Sequence, residues 1–229
     1  MLASLMAGVA LAAGPAPHVY FEQTTYVARD GRPPETGIVS RVWTTGRRMR
    51  LEVGPPELAR PLILRLDDGS AYRLDPDRKT ATAIDLDALR THAHLDASTA
   101  GDLLGAAQDG VVRTIELDER RTIAGHACRG FRIRAPEAEI EIYVSADVGV
   151  GVEAFTALLE WSGAAQSLGP VLDEIRKLPG FPMRTHARIR VAGQVHETLS
   201  EVSAVRVETH DETLFEPPTG YRVVPAGAH

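Results

Sequence analysis

The chain has 229 residues, a formal net charge of −6 and 24% charged residues. That length is sufficient for a large hydrophobic core in one or two domains. An acidic chain without a basic block lacks the electrostatic footprint of a nucleic-acid-binding protein, and its ordinary composition excludes collagen-like, coiled-coil and bulk disordered classes.

Residues 1–13 are uncharged and apolar and end in small residues. Ala10 and Ala12 fit the small-x-small pattern that signal peptidase cleaves, which predicts a signal peptide or its remnant and a periplasmic or secreted protein. The alternative is a buried N-terminal helix. The stretch is too short for a stable membrane anchor, and we expect no integral membrane span elsewhere. Residues 14–229 are expected to form a single domain.

Period-two alternation dominates the chain after Pro17. In Arg48–Val53, apolar Met49, Leu51 and Val53 alternate with charged residues, which predicts a strand with one apolar and one solvated face. The same alternation recurs at 132–134, 139–144 and 188–191. Turn sequences such as residues 67–70 and 75–77 separate successive strands, so we expect hairpins and an antiparallel sheet.

Two regions depart from this alternation. Residues 86–107 are rich in Leu and Ala and predict one or two short helices. Within residues 153–178, Val171, Leu172, Ile175 and Leu178 follow helical spacing, which predicts an amphipathic helix that ends at Pro179. A sheet with one apolar face must cover that face. The pattern therefore predicts a mainly β (α+β) fold, in which a long curved antiparallel sheet wraps around helical insertions.

Metal and catalytic chemistry find little support in the sequence. The single cysteine, Cys128, excludes an intrachain disulfide and a Cys-rich zinc site, and we interpret it as a small buried residue. His92 and His94 could ligate a metal, but no spacing supplies a third ligand, so exposed loop histidines are the favoured interpretation. Motifs for a nucleophilic serine, a phosphate loop or a dinucleotide are absent. We therefore predict no enzyme, no catalytic residues, no metal and no cofactor.

Several short motifs together resemble a family of uncharacterised exported bacterial domains. They are the R-M-R strand at 48–50, the hairpin at 64–80, the G-x-x-C-x-x-F sequence at 125–131, the G-F-P sequence at 180–182 and the L-F-x-x-P-x-G-Y sequence at 214–221. That family resembles the periplasmic lipoprotein carriers of the LolA/LolB type, and the resemblance spans nearly the whole mature chain. It implies a LolA-like unclosed half-barrel with helices on its concave side. Relatives of this fold carry acyl chains or lipoproteins, and the resemblance brings no catalytic residues.

An incompletely filled concavity would leave an apolar cavity, and such cavities bind apolar ligands. The predicted ligand-binding residues are the apolar strand positions and one apolar helical patch, namely Met49, Leu51, Val53, Leu64, Leu66, Tyr72, Leu74, Phe131, Ile133, Ile140, Ile142, Phe155, Leu158, Leu159 and Trp161. Any one of these residues could equally be ordinary core.

The sequence thus predicts a non-catalytic periplasmic protein that binds a hydrophobic small molecule, such as an acyl chain, or a lipoprotein. A partner protein of the cell envelope is also possible. One alternative is a structural or interaction module of the envelope whose core is filled. A weaker alternative is a metal-dependent hydrolase that uses His92 and His94.

Overall fold

The structure is a computed structural model that describes residues 18–29, 36–45, 47–65, 67–84, 111–149, 151–152, 156, 169–191 and 194–225. The described residues form one sheet of twelve strands and an α-helix, α1, at Gly169–Arg176. The strands are β1 Val19–Arg29, β2 Ile38–Thr44, β3 Arg48–Val53, β4 Leu62–Arg65, β5 Ser70–Asp75, β6 Thr80–Ile84, β7 Arg113–Ile123, β8 His126–Ala135, β9 Ala138–Ser145, β10 Phe181–Val191, β11 Gln194–Val207 and β12 Arg222–Val224.

The sheet consists of two antiparallel meanders joined side by side. Its strand order is β12-β6-β5-β4-β3-β2-β1-β11-β10-β9-β8-β7. Consecutive strands are neighbours within β1–β6 and within β7–β11. Most of them are connected by turns, whereas β9 and β10 are connected through residues 146–180, which include α1. The pairing of β1 with β11 joins the two meanders, and it runs from Val19 opposite Val207 to Arg29 opposite His196.

The turns follow the predicted chemistry. Residues 67–69 form the turn between β4 and β5, where Gly69 adopts a positive φ of 73° and Asp68 accepts a hydrogen bond from the Ser70 amide. Residues 76–79 connect β5 to β6, and Asp75 accepts a hydrogen bond from the Arg78 amide. Aspartate and glycine therefore supply the local hydrogen bonds and the left-handed backbone that tight turns require.

The curved sheet is unclosed, with β7 and β12 at its two ends. This confirms the predicted mainly β fold class. One element departs from the expected antiparallel pairing: β12 runs parallel to β6, with Arg222 opposite Thr80. The predicted helices at 86–107 and most of the region 153–168 lie outside the described residues.

Strand register gives the sheet two different faces. One face, which we call the apolar face, contains Phe21, Val42 and Leu64 in one meander and Ile133 and Ile142 in the other. The opposite side, which we call the charged face, contains the Arg and Glu residues that alternate with them. Because side chains of a strand point alternately to the two sides, a one-residue change of register would exchange these faces.

Helix α1 covers part of the apolar face. Val171, Leu172 and Ile175 are buried on one side of the helix, which confirms the predicted amphipathic spacing. They form a cluster with apolar residues of β8, β9 and β10, including Ile133 and Ile142. The chain turns from the end of the helix into β10 at Gly180, whose φ is +135° and where a Cβ atom would collide with the backbone of Ser145.

Two further apolar clusters complete the described core. The larger one combines Phe21, Val42 and Met49 with Tyr143 and Phe181 of the other meander. The rings of Phe21 and Phe181 meet edge to face with centroids 5.1 Å apart. A small cluster of Ile63, Leu74 and Ala81, with Tyr72 and Tyr221 packed against it, lies on the other side of β4–β6.

Removal of the buried Leu172 side chain tests how firmly α1 is packed on the sheet. Leu172 is 1% exposed, so Leu172→Ala is expected to lower the free energy of unfolding by about 2–5 kcal/mol, through lost burial and a residual cavity. Chemical denaturation measures this change. Asp173→Ala, at the neighbouring exposed position, serves as the control and is expected to cost about 1 kcal/mol or less. Equal losses in the two variants would contradict the described packing.

Candidate functional site

Many of the predicted ligand-binding residues are fully packed. Seven of them are buried in the two clusters on the apolar face or in the small opposite cluster, each at most 7% exposed: Met49, Leu64, Leu74, Phe131, Ile133, Ile140 and Ile142. Leu51 is half-buried, whereas Val53 is 46% exposed. Leu66, Phe155, Leu158, Leu159 and Trp161 lie outside the described residues, or their side chains do.

Tyr72 and Leu74 do not share a face with Met49 and Leu64. Leu64 pairs with Ala71, so Tyr72, the next residue along β5, points to the other side together with Ile63. The expectation of one continuous apolar face is therefore corrected at these two positions. Alternation shows which residues of a strand share a face, but the register across the β4–β5 turn decides which face that is.

The central strands leave part of the apolar face open. In one row across the sheet, Thr185 of β10, Ser200 of β11 and Thr25 of β1 are successive neighbours, and Ile38 of β2 follows them. Thr198 lies in the adjacent row on the same face, between Ala187 and Val27. We call the four half-buried residues Thr25, Thr185, Thr198 and Ser200 the hydroxyl belt.

Exposed aliphatic side chains border the hydroxyl belt. Val27 is 43% exposed, Ile38 50% and Val53 46%, and register places all three on the apolar face. We call the hydroxyl belt and these three residues together the open face. It lies between the cluster built on Phe21 and Val42 and the cluster covered by α1.

Sequence reasoning did not find the hydroxyl belt. Around Thr25 the sequence reads Gln-Thr-Thr-Tyr-Val, in which polar residues occupy both faces and alternation disappears. Only the pairing of β1 with β11 shows that Thr25 and Ser200 lie on the same side as the apolar clusters. Their hydroxyl oxygens are 2.9 Å apart and hydrogen-bonded to each other.

The charged face differs sharply from the open face. Cross-strand ion pairs follow the register there: Arg132 with Glu141 at 2.9 Å, Arg184 with Glu201 at 2.7 Å and Arg134 with Glu139 at 2.7 Å. Solvent screens such pairs, so each contributes about 1 kcal/mol or less. Their main consequence is that this side of the sheet is unsuitable for an apolar ligand.

Two buried tyrosines each donate a hydrogen bond to a glutamate. Burial, and next the hydrogen bond that its hydroxyl donates to Glu119, raises the pKa of Tyr143 to about 12. Burial, and next its hydrogen bond to Glu22, raises the pKa of Tyr20 to about 12. Arg121 and Arg206 stack over the two rings. Both phenols therefore stay protonated at neutral pH and act as structural groups.

A shallow cleft lies at the tips of the two hairpins β8–β9 and β10–β11. It has a volume of about 310 Å³ and combines apolar residues such as Ile189 and Val195 with the charged residues Arg134, Glu139 and Arg188. Arg134 already pairs with Glu139, and Arg188 lies 3.9 Å from Glu197. Two arginines of the cleft are thus already close to glutamates.

No metal-binding or thiol chemistry is supported by the described part of the chain. There, no group of three or more His, Cys, Asp or Glu residues is arranged to hold a metal ion. His92 and His94 lie outside the described residues. Cys128 is 2% exposed, and burial raises its pKa, so the thiol stays protonated and packs as a small core residue, as predicted.

A pair of stacked histidines holds the C-terminal segment against the start of β1. The rings of His18 and His210 are 5.7 Å apart, and the His210 amide donates to Nδ1 of His18 at 2.9 Å. Nε2 of His210 is buried without a hydrogen-bond partner, 3.7 Å from Glu208. Burial lowers the pKa of His210 against the attraction of Glu208, and the guanidinium of Arg206 acts in the same direction as burial.

None of the helices among the described residues is long and apolar enough to cross a membrane.

One protein family matches most of the sequence. The family described as a domain of unknown function (DUF4412) matches residues 44–221. No curated protein matches the chain.

Solved structures similar to this fold share little sequence with it. A conserved protein from Thermus thermophilus is 10% identical, with 92% of this chain and 91% of that chain covered and a TM-score of 0.45. A LolA superfamily protein from Nitrosomonas europaea is 8% identical, with 88% and 90% covered and a TM-score of 0.36. A domain from Vibrio parahaemolyticus, described as a putative outer membrane lipoprotein-sorting protein, is 9% identical, with 87% and 89% covered and a TM-score of 0.34.

The lowered pKa of His210 predicts a loss of stability in acid. Below pH 6.5 the unfolded chain binds a proton at this histidine more readily than the folded chain does, so stability is retained above pH 6.5 and falls as the pH drops below it. Thermal unfolding followed between pH 7.5 and 5.5 measures the effect. We expect His210→Gln to reduce this pH dependence, whereas the exposed-site variant His196→Gln is the control for loss of a histidine. The same acid-induced decrease in the wild type and the His210 variant would contradict the prediction.

Proposed function

The chain belongs to the domain family DUF4412, and we propose that it is a non-catalytic binding protein that holds an apolar ligand, such as an acyl chain, on the open face. The observation that carries this proposal is the exposure of Val27, Ile38 and Val53 on the same side of the sheet as the buried clusters. Most other apolar residues on that side are covered by α1 or by one another, although Val207, at the opposite end of β11, is also 51% exposed.

The energetics of such binding follow from apolar burial. Removing a methylene group from water contributes about 0.8 kcal/mol, so an acyl tail of several methylenes that covers these side chains would bind reversibly. Binding also costs translational and conformational freedom, which keeps the net affinity well below the sum of the contacts. The sheet would present a preformed surface, because its strands are held by their own ladder of backbone hydrogen bonds.

We propose a periplasmic or secreted location for the same protein. Support comes from the apolar residues 1–13 with their small-residue ending and from the resemblance to exported domains. A ligand-binding face built from aliphatic and hydroxyl groups needs neither a metal nor a redox-active thiol.

A second candidate function is a structural or interaction module of the cell envelope. It is favoured by the complete burial of predicted cavity residues such as Leu64, Ile133 and Ile142, which are filled core in this structure. In that case a partner protein would contact the exposed aliphatic residues, and no small apolar molecule would compete for them. A direct ligand-binding measurement separates the two candidates.

Charge introduced into the open face tests the proposed binding role. Purified protein is titrated with a fluorescent fatty acid methyl ester, which carries no charge, and Ile38→Glu is expected to weaken binding at least tenfold, because it removes the contact of an aliphatic side chain and places a carboxylate against the acyl tail. Val39→Glu is the matched control, since Val39 is 38% exposed but points to the charged face. It is expected to bind as the wild type does.

The outcomes decide between the candidates. Weakened binding in the Ile38 variant alone supports the open face as the binding site. Equal losses in both variants would place the site elsewhere, and a wild-type protein that does not bind the uncharged ester would favour the interaction module. Melting temperatures of the two variants check that both remain folded.

A further inference from the structure

The hydroxyl belt is an unusual feature of an otherwise apolar surface. Thr185, Ser200 and Thr25 occupy the same row on three successive central strands, and Thr198 lies next to them. Neighbouring strands are about 4.8 Å apart, so the row from β10 to Ile38 of β2 spans about 14 Å across the sheet. This span crosses the seam at which β1 and β11 join the two meanders.

The belt retains hydrogen-bonding capacity. A hydroxyl group has one donor and two acceptor positions. Thr25 and Ser200 share one hydrogen bond of 2.9 Å, so whichever residue donates, the O–H of the other remains to be donated. A donor that an apolar ligand covers without replacing its water partner costs free energy. An occupant that fits this surface must therefore bring an acceptor to the belt.

The hydroxyl belt carries no charge, and this limits the kind of acceptor group that a ligand can place on it. None of its four residues is ionisable, and the aliphatic residues on its borders are uncharged as well. A ligand carboxylate placed at Thr25 and Ser200 would lose its hydration without gaining a cation from the open face, which is strongly unfavourable. The nearest basic positions of β1 and β11 on this side, Arg29 and His196, lie two rows away. A neutral carbonyl accepts the same hydrogen bond without that cost.

We infer that the open face binds acyl groups in neutral ester or amide form, with the ligand carbonyl accepting a hydrogen bond from the hydroxyl belt and the hydrocarbon tail lying against Val27, Ile38 and Val53. This inference rests on the proposed apolar binding and specifies its ligand class. The carbonyl fixes the position of the ligand along the face, whereas the tail supplies most of the affinity.

The test separates the carbonyl contact from the apolar contact by using two probes. N-phenylnaphthylamine, which has no carbonyl, reports apolar binding by its fluorescence, and a monoacylglycerol displaces it. The double variant Thr25→Val with Ser200→Ala removes the hydroxyls while keeping the size of the side chains nearly unchanged. We expect the monoacylglycerol to bind the variant about tenfold more weakly, as for the loss of one or two hydrogen bonds, while binding of N-phenylnaphthylamine changes less than twofold.

Thr24→Val is the matched control. Thr24 is the sequence neighbour of Thr25 and is also half-buried, but it pairs with Glu201 and Val39 on the charged face. It is expected to bind both probes as the wild type does. Thr198→Val, a single change within the belt, is a second variant if the double variant does not fold, and a several-fold loss of monoacylglycerol binding is expected for it.

Each other outcome overturns a specific statement. If the variants bind the monoacylglycerol as tightly as the wild type, the role of the belt fails and the apolar binding role survives. If the wild type binds neither probe, the proposed function itself fails. If the corresponding fatty acid binds more tightly than the monoacylglycerol at neutral pH, the assignment to neutral acyl groups is wrong.

Discussion

The pairing of β1 with β11 is the contact on which the rest of this structure depends. It brings Val19 opposite Val207 and thereby joins the six strands of the first meander to the five of the second. Pairing β1 with β11 closes the loop of chain between Arg29 and His196. Closing a loop of this length costs more conformational entropy than forming a hairpin between consecutive strands. The compensation is a core that crosses the seam, in which Phe21 of β1 meets Phe181 of β10. Without this pairing, each meander would expose an additional strand edge, and the cluster that crosses the seam would lose its partners.

The same seam determines where a ligand could bind. Toward β8 and β9 the apolar face is covered by α1, and toward β3 and β4 it is filled by packed aliphatic residues. Between these two regions, the surface consists of the short hydroxyl side chains of β1, β10 and β11, which are only partly buried. Small residues at the seam therefore suit both close pairing of the two meanders and the proposed contact with an acyl group.

The contrast between the two faces restricts binding to one side. On the charged face, Arg and Glu residues pair across strands and remain solvated, which contributes little stability but excludes apolar ligands. On the apolar face, burial supplies most of the folding free energy, as it does in folded domains generally. The C-terminal segment adds to this arrangement at one end, where Tyr221 covers Leu74 and its neighbours on the other side of β4–β6.

Local patterns in the sequence predicted most of the fold. The alternation around Met49 and Leu51, the Asp-Gly turn before Ser70 and the helical spacing of Val171, Leu172 and Ile175 are short-range signals, so they could be interpreted without knowledge of the partner strands. They were sufficient for the mainly β class, the hairpins and the helix that covers the sheet.

Three-dimensional pairing decided what those patterns could not. It placed Tyr72 and Leu74 on the opposite face from Met49, made β12 parallel to β6, and brought Thr25 beside Ser200. These features depend on register between segments that are distant in sequence, and a shift of one residue reverses the face of every side chain in a strand. Composition and periodicity determine how apolar each strand is, whereas only the assembled sheet determines which of its side chains meet and which remain open to a ligand.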